Sequence, residues 1–184
     1  KCMIYTVELN YSDASTADAW SAWYETYLVQ LVSLDGLDTA QRFRAIRKDA
    51  QFWEYLAIYT VPNLDVYETQ AYRDIGGGGM ASKAFHHAIT RRRNVYRGVE
   101  RMAAVSDDAR VLLWEAPPEN FDLPDCLFLP LEAGAGNQQA GATKLDGTPE
   151  RRAIAVADAA TVERYDFAAV DGLAVYAPIT KRYG

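Results

Sequence analysis

His86 and His87 are the only histidines among 184 residues, and histidine is the side chain whose unperturbed charge change lies nearest neutral pH. They close the segment Ser82-Lys83-Ala84-Phe85-His86-His87, past four glycines and before a strand-like stretch. Either could act as a general base or ligate a haem iron, and both could equally be ordinary surface side chains. Neighbours on a helix point about 100° apart, so at most one faces a pocket, and His87 is chosen over His86. Tyr27 and Tyr24 could donate a hydrogen bond to a carbonyl or an enolate oxygen, although buried tyrosines more often serve the core. Arg42 and Arg44 fall on one side of a strand-like run. An inward guanidinium there could clamp a carboxylate at two points. Glu54, on the next run, could pair with such an arginine or, if desolvated, take a proton.

Other chemistries are absent from the pattern. There is no Gly-x-Ser-x-Gly elbow, no Cys–His motif and no dinucleotide fingerprint. Two histidines without zinc-ligand spacing give no metal site. Gly76–Gly79 lacks the Lys-Ser/Thr pair of a phosphate loop and reads as a hinge. Cys2 and Cys126 are far apart and could form one long-range disulfide, but two buried thiols in a reducing cytoplasm are the simpler account. A net charge of −6 makes nucleic acid an unsuitable partner. The one basic run, Arg91-Arg92-Arg93, reads as a solvated face, with capture of an anionic substrate as the alternative. No apolar run approaches the ~20 residues of a membrane span, and no signal peptide opens the chain. A soluble, acidic, cytoplasmic protein is expected.

The positioning elements follow from periodicity. Trp20, Trp23, Tyr24, Tyr27 and Leu31 fall on one helical face. Ser15 and Asp18 have capping-box spacing before that helix, and Asp35-Gly36 ends it. Residues 2–11 alternate as a strand with Met3, Tyr5, Val7 and Leu9 on one side. Two more strands are predicted over 38–46 and 52–61, then a helix from Leu64 to Ile75 capped by Asn63. The short segment 82–89 and a strand over 94–103 complete a β-α-β-β-α-β order, the ferredoxin-like arrangement. Val111–Glu115 echoes Ile4–Glu8, and Ala174–Arg182 echoes Asn94–Met102. A second, abridged copy is therefore expected, giving units over 1–105 and 106–184. The Gly/Ala/Gln-rich stretch from Glu132 to Glu150 reads as a mobile loop.

With these residues in place, the chain resembles the dimeric α+β barrel superfamily, and within it the EthD-like branch. The resemblance rests on Trp23–Leu37 (WYETYLVQLVSLDGL), Ala40–Ile46 (AQRFRAI), Tyr55–Arg73 and Arg93–Val99. It covers the first hundred residues or so and fades thereafter. In one respect the chain departs from the family: Tyr27 stands where such proteins often carry a histidine of a Glu-His-Leu-Pro type sequence. The resemblance implies an α+β, ferredoxin-like barrel assembling as a homodimer, with small molecules bound between sheet and helices. Residue type and this analogy together give His87 or His86 as base and Tyr27 as oxyanion donor. Trp23, Tyr24, Tyr5, Arg42 and Glu54 would contact substrate. The function expected is a cofactor-independent acid/base enzyme of isomerase, lyase or cyclase type. Its substrate would be a small aromatic, conjugated or lactone-like metabolite, as in the catabolism of aromatic compounds. Alternatives are an accessory subunit of a catabolic oxygenase and a haem-binding barrel.

Overall fold

A computed structural model describes residues 2–115, 127–133, 139–140, 143–165 and 171–184. In chain order the strands and helices are β1 (Met3–Tyr11), α1 (Ala17–Val32), β2 (Thr39–Arg47), β3 (Tyr55–Val61), α2 (Gln70–Asp74), β4 (Ile89–Arg97) and β5 (Ala109–Trp114). They continue as β6 (Leu127–Ala133), β7 (Gln139–Ala140), β8 (Thr143–Lys144), β9 (Arg151–Asp158), α3 (Ala159–Arg164) and β10 (Leu173–Pro178). Eight strands close an antiparallel barrel in the order β1-β3-β2-β10-β5-β9-β6-β4, while β7 and β8 form a separate two-stranded ladder. Within β4-β1-β3-β2 the strands lie in the order fourth, first, third, second, and β10-β5-β9-β6 repeats that order. The seams are β2 against β10, with Phe43 opposite Pro178, and β4 against β6, with Tyr96 opposite Ala133. Among the described residues no helix is long and apolar enough to cross a membrane.

The period-2 alternation of β1 divides its side chains between two cores. Tyr5, Val7 and Leu9 join the cluster under α1, while Ile4 joins the barrel interior. Helix α1 buries Trp20, Tyr24, Leu28 and Leu31 against the outer face of the sheet, and Trp23 and Tyr27 are half-buried beside them. Its ring-bearing stripe is as the spacing predicts, but its start differs. Thr16 is the N-cap and makes no side-chain capping bond. Asp13 instead takes the Ser15 amide and hydroxyl, at 3.1 and 2.6 Å. That hydroxyl is thereby lost to the expected capping box.

Two further boundaries shift. The helix expected over 64–75 breaks into a 3-10 turn, Asp65–Glu68, and the short α2. Thr69 is extended between them and caps α2 by accepting from the Tyr72 amide at 3.2 Å. β4 begins at Ile89 rather than Asn94, so the basic run lies inside the strand and its three side chains alternate between the two faces. Arg92 points into the barrel. There Glu8, fully buried, accepts from Arg92 Nε and Nη2 at 3.0 Å each and from Arg152 Nη1 at 2.7 Å. Glu115 accepts a further bond from Arg92 at 2.7 Å. The run is thus not a solvated face, because its middle member neutralises a buried carboxylate.

Among the described residues, little covers the sheet of the second half. The six-residue α3 seats Val162 on the outer face near Leu112, Ala155 and Leu173. The stretch 132–150 is described only in part; residues 134–138 and 141–142, on which the expectation of a mobile loop partly rests, lie outside the described residues, as does Cys126. The part that is described is laid against β4. Leu145 is buried in the core under α1, and Asp146 bonds the Arg93 backbone through its amide and its carboxylate, at 2.8 and 2.7 Å. The Asn94 amide group holds Gly147 and Thr148. Cys2 is half-buried and has no disulfide partner among the described residues.

Candidate functional site

Between α1, the outer face of β1, β3 and β4, and the segment 67–82 lies a half-enclosed cleft. Its cavity volume is about 70 Å³. Rings dominate the wall. Trp23 stacks on Tyr27 with centroids 5.3 Å apart, and Tyr67 lies 5.1 Å from both Tyr5 and Tyr72. The Tyr24 and Tyr59 hydroxyls are hydrogen-bonded to each other at 3.0 Å. The polar remainder comes from Ser82, Arg91 and Arg93.

The glycine run is part of this wall rather than a spacer. Gly76 takes a φ of 89° and accepts from the Ala81 amide at 2.8 Å, a conformation that favours glycine. At Gly77 a Cβ would lie 2.3 Å from the Tyr72 ring, so the bare backbone is what lets that ring lie flat against the turn. The Gly78 amide then donates to the Tyr72 hydroxyl at 3.2 Å. Gly76, Gly77 and Gly78 therefore place one phenol at the cleft.

Of the residues expected at a site, Tyr5, Trp23, Tyr24 and Tyr27 all line the cleft. Neither histidine does, but the two differ. His86 Nε2 is 2.9 Å from Ser82 Oγ, and Ser82 is itself a buried lining residue. His87 instead pairs with Asp13 Oδ2 at 2.9 Å on the exposed surface. Arg42 is fully buried outside the cleft. Its guanidinium lies 4.2 Å from the Tyr24 ring centre and 4.8 Å from that of Trp20, and donates to Ser21 at 2.9 Å. Cation–π packing has claimed it. Glu54 pairs with Arg44 at 3.1 Å between exposed side chains, the cross-strand contact that makes a carboxylate structural. Sequence reasoning missed Tyr59, Tyr67, Tyr72, Ser82, Arg91 and Arg93 as lining residues. One available signal was the Ser82–His86 spacing of four, which brings side chains together across a helical turn.

Burial holds the Tyr5, Tyr27, Tyr59 and Tyr67 phenols well above the usual tyrosine pKa, and neighbouring phenols push Tyr27, Tyr59 and Tyr67 the same way. At neutral pH these groups are hydrogen-bond donors and not bases. In the unfolded chain they ionise near pH ~10, whereas folded they keep their protons to higher pH. Above about pH 10 the unfolded state therefore binds fewer protons, so this stability is complete below about pH 10 and lost as pH rises further. Denaturant midpoints followed from neutral pH to about pH 11 are expected to fall only in the last unit. Phenolate absorbance in the native protein should lag that of the unfolded chain. Superimposable native and unfolded phenolate titrations would contradict the burial argument.

No protein family matches the chain by sequence, and no curated protein matches it significantly. Solved structures do match in fold. A candidate monooxygenase of Fusobacterium nucleatum aligns at 10% identity and TM-score 0.54, over 97% of this chain and 93% of its own. A candidate monooxygenase of Lactobacillus acidophilus aligns at 8% identity and TM-score 0.52, over 98% and 96%. A candidate chlorite dismutase aligns at 9% identity and TM-score 0.55, over 97% and 95%. These neighbours belong to the dimeric α+β barrel superfamily, and the eight-stranded barrel of this chain has that fold.

Proposed function

We propose that the ring-lined cleft is the active site of a cofactor-independent enzyme that moves protons on a small aromatic, conjugated or lactone-like metabolite. One observation carries the proposal: Ser82 lines the cleft, and its Oγ is 2.9 Å from His86 Nε2, to which it can donate in place of the Gly79 carbonyl at 3.2 Å. An imidazole, the general base most often used by enzymes, thus stands one hydroxyl away from the cavity. In the step proposed, a C–H bond of the substrate breaks and its proton passes to Ser82 Oγ as the Ser82 proton passes to His86 Nε2. The electron pair delocalises onto a conjugated carbonyl oxygen. Tyr27, held protonated by burial, and the Tyr24–Tyr59 pair supply donors for that oxyanion. Returning the proton at another carbon gives an isomerase; expelling a leaving group gives a lyase. In this reading His86 is the base and His87 stays a surface partner of Asp13.

The architecture supports two related inferences. The shared strand order of the two halves favours a tandem of ferredoxin-like units, 1–105 and 106–184, the second abridged. Trp23-Tyr24 on α1 and Arg42-Phe43-Arg44 on β2 favour the EthD-like branch. Because one chain closes the barrel, a homodimer would pair through other surfaces and is not needed to complete the cleft. The haem alternative would rest on a phenol, since among the described lining residues there is neither imidazole nor thiolate, the donors most haem proteins use.

Proton transfer can be sought before the substrate is known. Conjugated ketones, phenols and lactones are incubated with the protein in D2O and their acidic C–H positions followed by NMR. Deuterium wash-in is expected for at least one compound, slowed about 10²–10⁴-fold in His86→Ala and unchanged in His87→Ala. Wash-in equally fast in His86→Ala would remove the base assignment. No wash-in anywhere, with binding retained, would favour the accessory-subunit alternative.

A further inference from the structure

Arg91 and Arg93 are two residues apart on β4, opposite Leu9 and Val7 of β1. Residues so spaced share a face and lie about 7 Å apart, and both side chains line the cleft. Both are half-buried, and among the described residues no carboxylate lies within ion-pair distance of either. Arg92, between them on the opposite face, is a control supplied by the chain itself. It is answered by Glu8 and by Glu115. In a protein carrying 25 acidic against 19 basic residues, two adjacent cations without partners run against the general balance.

Their cost is visible in the electrostatics. Burial, and next the charge of Arg93, push the Arg91 pKa below its ordinary value. Two positive charges in a cleft walled by rings repel each other more strongly than they would in water; among the described residues the nearby Asp146 carboxylate bonds the Arg93 backbone amide at 2.7 Å and not either guanidinium. A ligand that brings a negative charge gains what the protein leaves unmet. The remaining wall specifies the rest of that ligand. Trp23 and Tyr27 present stacked rings, which accept a flat π-face, and Tyr5 lies near enough to Arg91 and Arg93 for their charges to act on its phenol.

We propose that Arg91 and Arg93 form an anion subsite at one end of the cleft and that the ligand is a small planar aromatic or conjugated carboxylate. This deepens the reading of the cleft as a substrate site and rests on it. The carboxylate takes charge-assisted hydrogen bonds from the two guanidinium groups, while its conjugated body lies along the rings. That orientation presents the far end of the ligand to Ser82 and the phenols.

The test is calorimetric titration of the full chain with benzoate, cinnamate and 2-naphthoate, each against its neutral amide. At least one acid is expected to bind about tenfold or more tightly than its amide. Arg91→Gln and Arg93→Gln should each weaken the acid by roughly 10- to 100-fold and leave the amide unchanged. Arg97→Gln, an exposed position on the same strand, should change neither. Arg91→Lys and Arg93→Lys keep the charge and should retain more acid affinity than the glutamines, which separates loss of charge from loss of fold. If acid and amide bind alike and the arginine variants change nothing, the anion subsite is overturned while the cleft stands. If neither acid nor amide binds, both readings fall.

Discussion

Glu8→Gln is expected to destabilise the protein by about 3–5 kcal/mol, a large part of the 5–15 kcal/mol typical of a folded domain. Glu8 is fully buried in the barrel and accepts from two arginines, Arg92 at 3.0 Å and Arg152 at 2.7 Å. Arg92 keeps Glu115 as a second partner. Arg152 is also fully buried, and among the described residues its Nε has no hydrogen-bond partner. Removing the charge on Glu8 leaves that guanidinium in the barrel with no carboxylate bound to it, and the penalty for an uncompensated buried ion is what dominates. Chemical denaturation of the wild type and the variant gives the difference. Glu8→Leu combined with Arg152→Met removes both charges and is expected to cost less than Glu8→Gln alone. A Glu8→Gln midpoint indistinguishable from wild type would mean that the cluster is well hydrated and contributes little.

Trp20→Ala is the second large effect, also about 3–5 kcal/mol. The indole is fully buried, stacks on Tyr11 at 4.5 Å and 10°, and meets the Tyr55 ring edge-on at 4.9 Å. Truncation opens a cavity under α1 and strips one ring from the buried Arg42. Trp20→Phe should be much milder, about 1–2 kcal/mol. Among the described residues the indole Nε1 has no hydrogen-bond partner, so phenylalanine forfeits area without abandoning one. A Trp20→Phe loss as large as that of alanine would show that the fused ring itself is the requirement. Urea melts of both variants, with near-ultraviolet circular dichroism to report ring packing, decide the point.

The N-terminal half was legible because its signals are local. Helix α1 declares itself by ring spacing and β1 by alternation. The order of elements through β4 follows from turn residues. The cleft's aromatic members were legible for the same reason. What could not be read were pairings set by distance in space. Arg92 finds Glu8 across 84 residues of sequence, and nothing in Arg91-Arg92-Arg93 says that the outer two face one way and the middle one another until the strand's start at Ile89 is known. Arg42 looked like a ligand clamp because only the fold reveals the rings that enclose it. In the second half, Arg151–Asp158 alternates small and branched residues too weakly to signal a strand, and Pro130 inside β6 argues against one, although its backbone pairs with Ala153.

A barrel assembled from two identical chains is bound by its symmetry, because any side chain placed in one cleft is placed in both. Here all eight strands belong to one polypeptide, and that obligation is lifted. The N-terminal half carries a sixteen-residue helix over a ring-lined cavity, while among the described residues the helix on the C-terminal half is the six-residue α3. Substitutions that would ruin a cleft can accumulate in the second half, provided that it still offers β10 and β6 as seams and Arg152 to the buried carboxylate. On the proposed reading of the cleft, the two halves are free to divide the work, the first holding the chemistry and the second the shape.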